Sequence, residues 1–202
     1  MKKIPVPTLK RFVILERLLS QLNQQKITSV ELSSLTGWTE ATIRRDISLL
    51  ELYNGVSNGY EIKILRKAIC SVLNIESEKN TTHRCCIVGL GKLGEALLEN
   101  SIFKGSGFEL VAGFDSNVNK IEIMKSSIPL FATLDLEAKI HSMQIEYAVL
   151  AVGDEKAQFM TDRLVKYGIK GIVNCTGIVL KVPQNIKIQN HNLITALTSL
   201  SL

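Results

Sequence analysis

The sequence of 202 residues predicts an α/β protein with two domains, a helical N-terminal domain and a C-terminal domain built on a parallel β-sheet. Two observations support this fold class. Apolar residues recur at helical spacing through the first 50 residues, whereas short apolar runs alternate with helical segments from residue 85 onward. A polar stretch at residues 76–82 separates the two patterns and predicts a linker. We therefore expect domains at residues 1–78 and 79–190, followed by a terminal segment at residues 191–202.

The N-terminal domain has the order of elements of a helix-turn-helix unit. Its apolar pattern predicts a first helix over Thr8–Leu22, a short second helix that ends at Gly37, and a third helix from Glu40 to about Leu50. The candidate N-caps are Thr28 or Ser29 for the second helix and Thr39 for the third. A helix, a short helix, a glycine-containing turn and another helix form an arrangement common in DNA-binding domains.

The polar face of the third helix indicates contact with DNA. Its members are Thr42, Arg44, Arg45 and Ser48. Arginine and small hydroxyl residues on such a helix contact base edges and phosphates in the major groove. Two turn signals between Tyr53 and Tyr60, followed by alternating Ile62 and Ile64, predict a small hairpin, or wing. The alternative is a three-helix packing module whose arginines are only solvated.

The charge distribution also favours a polyanionic partner for the first half of the chain. Residues 1–80 contain 12 lysine or arginine residues and 8 acidic residues, whereas the remainder is nearly neutral. No apolar run approaches the ~20 residues that span a bilayer, and no signal-peptide pattern follows Met1. We therefore expect a cytoplasmic protein without membrane contact.

The cysteines and histidines show no ligand motif, so no metal site is predicted. Cys85 and Cys86 are adjacent within an apolar run, where free cysteine packs as a small apolar side chain. A thiol switch is the alternative.

A glycine-rich turn marks the second domain. Cys85–Val88 predicts a buried strand, and Gly-Leu-Gly-Lys-Leu-Gly at residues 89–94 leads from it into a helix. In dinucleotide-binding folds the first glycine permits the tight turn, and the second lets the pyrophosphate approach the backbone. The third glycine allows the helix to pack against the strand. A glycine motif alone is weak, but this one lies between a strand and a helix, as the chemistry requires.

An acidic residue follows the next predicted strand. Phe108–Phe114 predicts this strand, and Asp115 follows it, 21 residues after Gly94. A carboxylate at this position can bind the ribose hydroxyls of adenosine and would repel a 2′-phosphate, so NAD(H) is expected rather than NADP(H). Two alternatives remain open: Asp115 only caps the following turn, or coenzyme A occupies the same phosphate cradle.

The remaining sequence continues the alternation of strands and helices. Further strands are predicted at residues 128–131, 145–152 and 169–174, and helices at residues 134–140 and 155–167. Such alternation predicts a Rossmann-type parallel sheet covered on both faces. A last amphipathic segment, Leu193–Leu200, has no sheet left to cover and could dock on a partner subunit.

These motifs together resemble the Rex family of redox-sensing repressors, from Ile4 to the C-terminus. The segments that carry the resemblance are Ala41–Asp46, the glycine turn at 89–94, Phe114–Asp115, Gly168–Asn174 and Leu180–Pro183. The resemblance implies a homodimer with N-terminal winged helix-turn-helix domains, C-terminal Rossmann-type domains and a swapped C-terminal helix. It implies a transcriptional repressor, not an enzyme, that binds double-stranded operator DNA, is released by NADH and is permitted to bind by NAD+.

The site residues predicted on these grounds fall into three groups. The cofactor-binding group, for NAD(H), is Gly89, Leu90, Gly91, Lys92, Leu93, Gly94, Asp115, Lys120, Val152, Gly153, Asn174 and Thr176. The DNA-binding group is Lys10, Arg11, Thr39, Thr42, Arg44, Arg45, Ser48, Asn58 and Tyr60. The resemblance implies an interdomain switch at Arg17, Asn100 and Asn192. No catalytic residue is predicted.

Several positions depart from the family pattern. Asn100 and Asn192 stand where the family usually has tyrosine and aspartate, residues 175–177 replace Phe-Ala-Pro, and Val56 replaces a basic wing residue. An asparagine at position 192 cannot form a charged pair with Arg17. A divergent relative with weakened redox discrimination, or a nucleotide-responsive adaptor, therefore remains an alternative. A dehydrogenase is disfavoured because no substrate domain and no acid–base pair are present.

Overall fold

The chain forms two compact units, Met1–Lys79 and Asn80–Leu202. The computed structural model describes residues 4–52, 59–73, 82–99, 103 and 106–201. The predicted wing positions Val56 and Asn58, and the predicted switch residue Asn100, lie outside these residues.

The first unit contains short helices around one apolar core. In chain order its described elements are α1 (Val6–Ser20), β1 (Lys26–Ile27), α2 (Ser29–Thr36), α3 (Glu40–Ser48), β2 (Tyr60–Glu61) and α4 (Ile62–Leu73). Thr28, rather than Ser29, is the N-cap of α2, and it forms a full capping box with Glu31. The helix ends at Gly37, whose φ of 72° lies in the left-handed region that glycine adopts without strain.

The predicted hairpin is wrong where it includes Ile62 and Ile64. Helix α4 begins at Ile62, because Ile62, Leu65 and Ile69 recur at helical spacing and are all buried in the core of the unit. Strand β2 pairs antiparallel with β1, with Ile27 opposite Tyr60. The core of the unit consists of Phe12, Leu15, Leu19, Ile27, Leu32, Ile43, Ile47, Ile62, Leu65 and Ile69.

The second unit is a parallel sheet with helices on both faces. Its described elements are β3 (His83–Val88), α5 (Lys92–Leu97), β4 (Phe108–Asp115), α6 (Val118–Ile123), β5 (Leu130–Ala132), α7 (Leu136–Ser142), β6 (Tyr147–Leu150), α8 (Asp154–Lys166), β7 (Gly171–Asn174), β8 (Lys187–Asn190) and α9 (Leu193–Leu200). The strand order is β5-β4-β3-β6-β7-β8, and every pairing is parallel. This is the strand order of dinucleotide-binding Rossmann folds.

The alternation of side chains along β3 builds a core on each face of the sheet. Cys85 and Ile87 belong to one apolar cluster, whereas Cys86 and Val88 belong to the other. The strand order reverses direction between β3 and β6, so a crevice opens at the carboxyl ends of these strands. None of the helices formed by the described residues is both long and apolar enough to cross a membrane.

Candidate DNA interface and dinucleotide cleft

Helix α3 presents an apolar face to the core and a polar face to solvent. Ile43 and Ile47 are buried, whereas Arg44, Arg45 and Ser48 are exposed. The hydroxyl of Thr39 accepts a hydrogen bond from the backbone N–H of Thr42 at 3.2 Å, which fixes the start of the helix. The structure therefore brings the predicted DNA-binding residues of α3 together on one accessible surface.

The two neighbouring arginines of α3 differ in their contacts. Arg44 pairs with Glu40 one turn earlier, and its Nε donates to the Ser29 hydroxyl at 3.0 Å, which ties α3 to the start of α2. The guanidinium of Arg45 forms no hydrogen bond or ion pair with the described residues, whereas its backbone carbonyl accepts a hydrogen bond from the Ser48 hydroxyl at 2.6 Å. Ser29 was not predicted as a partner of Arg44, because the contact joins two helices separated by a turn.

Arg11, predicted to bind DNA, faces a buried carboxylate instead of standing free. Its Nε and Nη2 donate to the two carboxylate oxygens of Asp46 at 2.5 and 2.9 Å, and the Thr8 hydroxyl donates to Asp46 at 2.9 Å. Burial raises the pKa of Asp46, but these hydrogen bonds and the positive charges of Arg11 and Arg45 outweigh it, so the pKa lies below its ordinary value. This pairing anchors α3 to α1.

Two further residues that were predicted to contact DNA, Lys10 and Tyr60, are among the described residues. Lys10 is exposed on α1. Tyr60 is half-buried on β2, where burial raises the pKa of its phenol and the nearby charge of Arg44 partly offsets that effect. The phenol of Tyr60 therefore lies within electrostatic range of the Arg44 guanidinium.

The glycine-rich turn has three glycines with different steric roles. Gly89 has a φ of 93°, and a side chain there would approach the Ala151 carbonyl oxygen to 2.6 Å. At Gly94 a Cβ would lie 1.9 Å from the Gly89 oxygen, so only glycine lets the helix pack against the turn. At Gly91 a Cβ would meet nothing within 4 Å, which leaves open space beside the backbone where α5 begins.

Asp115 holds the glycine turn in addition to capping its own turn. One carboxylate oxygen accepts from the Leu90 N–H at 2.7 Å and the other from the Asn117 N–H at 2.8 Å. The Lys120 ammonium donates to the Leu90 carbonyl oxygen. These contacts place two of the predicted cofactor-binding residues, Asp115 and Lys120, against a third, Leu90.

A cleft opens at the carboxyl ends of the strands. Its lining residues are Gly89, Gly91, Asp115, Ser116, Thr133, Ala151, Val152, Gly153, Glu155, Lys156 and Met160. The prediction missed six of these lining residues: Ser116, Thr133, Ala151, Glu155, Lys156 and Met160. Their position after the carboxyl ends of β4, β5 and β6 is the signal that could have identified them, because ligands of such sheets bind there. Lys92 and Leu93 are exposed on α5 and do not line this cleft.

Asn174 and Thr176 lie beyond the lining of this cleft and bond to each other. The Asn174 carboxamide oxygen accepts from the Thr176 hydroxyl at 2.7 Å, and its amide donates to Asn190 and to the Ile178 carbonyl, each at 2.9 Å. Both residues are buried. Their side chains therefore shape the loop after β7.

The predicted switch residues have separate surroundings in the described chain. The side-chain oxygen of Asn192 accepts from the Thr195 N–H at 3.0 Å and caps α9, and its amide donates to the Thr176 carbonyl at 3.4 Å. Every described residue of α9 is exposed. Arg17 is exposed on α1 of the first unit.

Metal and thiol chemistry find little support in the described residues. No group of three or more potential metal ligands occurs among them. Burial raises the pKa of the Cys85 thiol to about 12 and raises that of Cys86 further, so neither forms a reactive thiolate near neutral pH.

A helix-turn-helix unit joined to a dinucleotide-type parallel sheet defines a class of ligand-responsive DNA-binding proteins. A family model described as "Putative DNA-binding protein N-terminus" matches residues 3–48, and one described as "CoA binding domain" matches residues 80–178. The redox-sensing transcriptional repressor Rex of Limosilactobacillus reuteri (strain DSM 20016) is 35% identical over 202 residues, which covers 98% of this chain and 92% of that protein. The chain belongs to the Rex family of redox-sensing transcriptional repressors.

Solved structures agree with this assignment. The structure of RSP, a Rex-family repressor, in complex with beta-NADH matches with a TM-score of 0.84 and 28% identity, covering 100% of this chain and 94% of that one. Its complex with beta-NAD+ and operator DNA matches with a TM-score of 0.86 and 28% identity, covering 100% and 92%. The resemblance and the fold class predicted from the sequence are confirmed. Membership in a repressor family also confirms that the chain is not an enzyme.

Proposed function

We propose that the chain is a cytoplasmic transcriptional repressor that binds double-stranded operator DNA as a homodimer and is released by NADH but not by NAD+. The whole-chain similarity to RSP carries this proposal, because that protein has been captured with NADH and, separately, with NAD+ and operator DNA. The basic polar face of α3 and the cleft of the parallel sheet supply one site for each ligand.

On the DNA side, α3 would enter the major groove with its polar face toward the bases. Arg45 is the better candidate for a base contact, because its guanidinium is not committed to another described residue, whereas Arg44 is held by Glu40 and Ser29. Lys10, Thr39, Thr42 and Asn58 would contact the DNA backbone. Arg11 would act indirectly, through its pairing with Asp46.

On the cofactor side, the residues of the cleft fit a dinucleotide. The open space at Gly91 admits a pyrophosphate against the backbone, and the first N–H groups of α5 have no intrahelical partners. Asp115 and Lys120 hold the turn in the shape that this contact requires. The bound nicotinamide ring supplies the signal, because its charge differs between NAD+ and NADH. Asn174 and Thr176 would act by shaping the loop after β7.

Communication between the units would depend on Arg17, Asn100 and Asn192, and α9 would pack on the partner subunit. Helix α9 carries an exposed apolar surface of Leu193, Ile194, Leu197 and Leu200. An eight-residue helix with no buried side chain is marginal in water by itself, so cover from a second copy would stabilise it. The chain would accordingly consist of a DNA-binding domain at residues 1–78, a dinucleotide-binding domain at residues 79–190 and a swapped helix at residues 191–202.

Operator binding by fluorescence anisotropy tests the proposal. The full chain is titrated against a labelled palindromic operator of the Rex type at fixed salt, with NADH and NAD+ added in separate series. Selective release by NADH supports the proposal. An equal response to both dinucleotides contradicts redox sensing, and the absence of binding to any sequence in a random DNA pool favours the adaptor alternative.

A charge-matched pair of variants tests the role of α3. Arg45→Ala should weaken operator binding by about 1–3 kcal/mol if its side chain contacts a base. Lys125→Ala removes the same charge from an exposed residue of the second unit and should change binding little. Equal operator affinities for the two variants would show that the Arg45 side chain does not contact DNA.

A further inference from the structure

The loop that follows β7 is held as one body around the buried side chain of Asn174. The carboxamide oxygen of Asn174 accepts the backbone N–H of Thr176 at 3.0 Å and the hydroxyl of Thr176 at 2.7 Å. Its amide donates to the Ile178 carbonyl oxygen and to Asn190, each at 2.9 Å. Asn174 is 1% exposed, and a buried polar side chain whose hydrogen bonds are satisfied makes its surroundings rigid. A displacement at one end of the loop therefore reaches the other end.

This loop is hydrogen-bonded to the starts of two helices. Toward α8, the Gly177 N–H donates to a carboxylate oxygen of Asp154 at 2.7 Å. Toward α9, the Thr176 carbonyl oxygen accepts from the amide of Asn192 at 3.4 Å. The oxygen of the same Asn192 side chain accepts the Thr195 N–H and caps α9. The loop therefore connects the first residue of α8 to the cap of α9.

Asp154 lies directly beside the dinucleotide cleft. It is the first residue of α8, and the two residues before it, Val152 and Gly153, line the cleft. A ligand in the cleft would therefore contact the backbone immediately before Asp154. The hydrogen bond that Asp154 accepts also requires a residue other than proline at position 177, because proline has no N–H.

We propose that Asp154 is a positioning residue that couples the dinucleotide cleft to the cap of α9 through the loop after β7. The inference rests on the proposed dinucleotide function and names the route by which the signal leaves the cleft. Ligand binding shifts the start of α8, Asp154 moves the loop at Gly177, and the Thr176 carbonyl moves relative to Asn192. A separation of 3.4 Å is already at the long end of hydrogen-bonding distance, so a small displacement changes how α9 begins.

Gly177 offers a second way to break the same contact. A Cβ at this position would lie 2.5 Å from the other carboxylate oxygen of Asp154, so alanine would push the carboxylate away from the loop. The three atoms nearest to that Cβ all belong to the Asp154 side chain, so the collision disappears in Asp154→Ala. Gly177→Ala should therefore have an effect in the wild-type chain but not in Asp154→Ala, as expected of two changes that act through one contact.

The test is the fall in operator affinity on saturation with NADH, measured by fluorescence anisotropy with the full chain at one salt concentration. The wild-type chain should lose operator affinity by about tenfold or more. Asp154→Ala should bind operator like the wild type without NADH, but its affinity should fall by only about threefold or less with NADH. Gly177→Ala should resemble Asp154→Ala, and the double variant should show no further loss of response.

Two control variants separate the hydrogen bond from charge and from general loosening. Asp154→Asn loses the same charge as Asp154→Ala but keeps an oxygen that can accept the Gly177 N–H, so it should retain most of the response. Gln158→Ala removes two hydrogen bonds, of 2.9 and 3.0 Å, between α8 and the backbone of Lys181, and it should leave the response unchanged. A wild-type response in Asp154→Ala overturns the inference. So do a response in Asp154→Asn or Gln158→Ala as weak as that in Asp154→Ala, and additive effects in the double variant.

Amide exchange in α9 distinguishes failure of this inference from failure of the repressor proposal. Hydrogen–deuterium exchange of residues 190–200 is followed by mass spectrometry on the full chain, with and without NADH. A change in the wild type that disappears in Asp154→Ala upholds the inference even if NADH releases no operator, a result that contradicts the repressor proposal alone. The absence of any change in the wild type overturns the inference, whether or not operator is released.

Discussion

Replacing Asp46 with asparagine would remove the charge that anchors α3 to α1. The Asp46 side chain is only 4% exposed and that of Arg11 is 27% exposed, so their pairing is largely shielded from water. Losing one partner of a buried pair costs about 3–5 kcal/mol, because the other charge is left without compensation. Asparagine keeps an oxygen that Thr8 can donate to, so we expect a loss of about 2–4 kcal/mol in the free energy of unfolding.

Urea unfolding followed by tryptophan fluorescence measures this loss. Trp38 is the single tryptophan of the chain and packs against the core of the first unit, so its emission reports on that unit. With a denaturant slope of about 1 kcal/mol per M for a small unit, Asp46→Asn should lower the midpoint by about 2 M or more.

Glu16→Gln provides the comparison, because it removes one carboxylate from a more exposed pair. Arg66 donates to Glu16 at 2.8 Å with side chains 40% and 22% exposed, so the expected loss is below about 1 kcal/mol. Equal midpoints for Asp46→Asn and Glu16→Gln would refute the assignment of Asp46 as a buried anchor.

The same carboxylate makes a signed contribution to acid stability. The pKa of Asp46 is lower in the folded chain than its ordinary value of about 3.9. Its contribution is therefore present above that value and is lost as the pH falls through the folded pKa. Below about pH 4 the free energy of unfolding should therefore fall less steeply with decreasing pH in Asp46→Asn than in the wild-type chain. An identical acid profile in the variant would contradict the direction of the pKa change.

Three further predictions concern the turn, a cap and the thiols. Gly94→Ala should abolish NADH binding and lower the melting temperature of the second unit, because a methyl group would lie 1.9 Å from the Gly89 oxygen, and calorimetry showing wild-type binding would refute this. Thr28→Ala removes the N-cap of α2 and should cost about 1 kcal/mol in urea unfolding, so an unchanged midpoint would count against the capping box. Iodoacetamide at neutral pH should leave Cys85 and Cys86 unmodified in the folded chain, as judged by peptide mass spectrometry, whereas rapid alkylation of either would revive a thiol switch.

The local features of this fold were predictable from the sequence because they depend on neighbouring residues. The ends of α2 and the start of α3 follow from capping chemistry at Gly37 and Thr39, which acts within one turn of helix. The strand–turn–helix at residues 89–94 follows from the order of apolar and glycine residues. The same reasoning placed β4 over Phe108–Phe114, one residue short of its end at Asp115.

Features that depend on distant residues were not predictable in this way. The partner of β2 is a segment more than 30 residues earlier, and the pairing of Arg11 with Asp46 joins residues 35 apart. Strand β8 was missed because it is an edge strand with Ile188 as its one apolar residue, and α6 was missed because none of its residues is buried. Glu155 was missed because its place in the lining of the cleft depends on the fold, not on its neighbours in sequence.

The three glycines of the turn would respond differently to evolutionary drift. A side chain at Gly94 is incompatible with the packed chain, so its replacement would be removed by selection for folding alone. Gly91 is surrounded by open space, so a folded chain would tolerate alanine there. A single substitution at position 91 could therefore abolish dinucleotide binding in a descendant that still folds and still binds its operator. In this architecture a sensor can become a constitutive repressor without passing through an unstable intermediate.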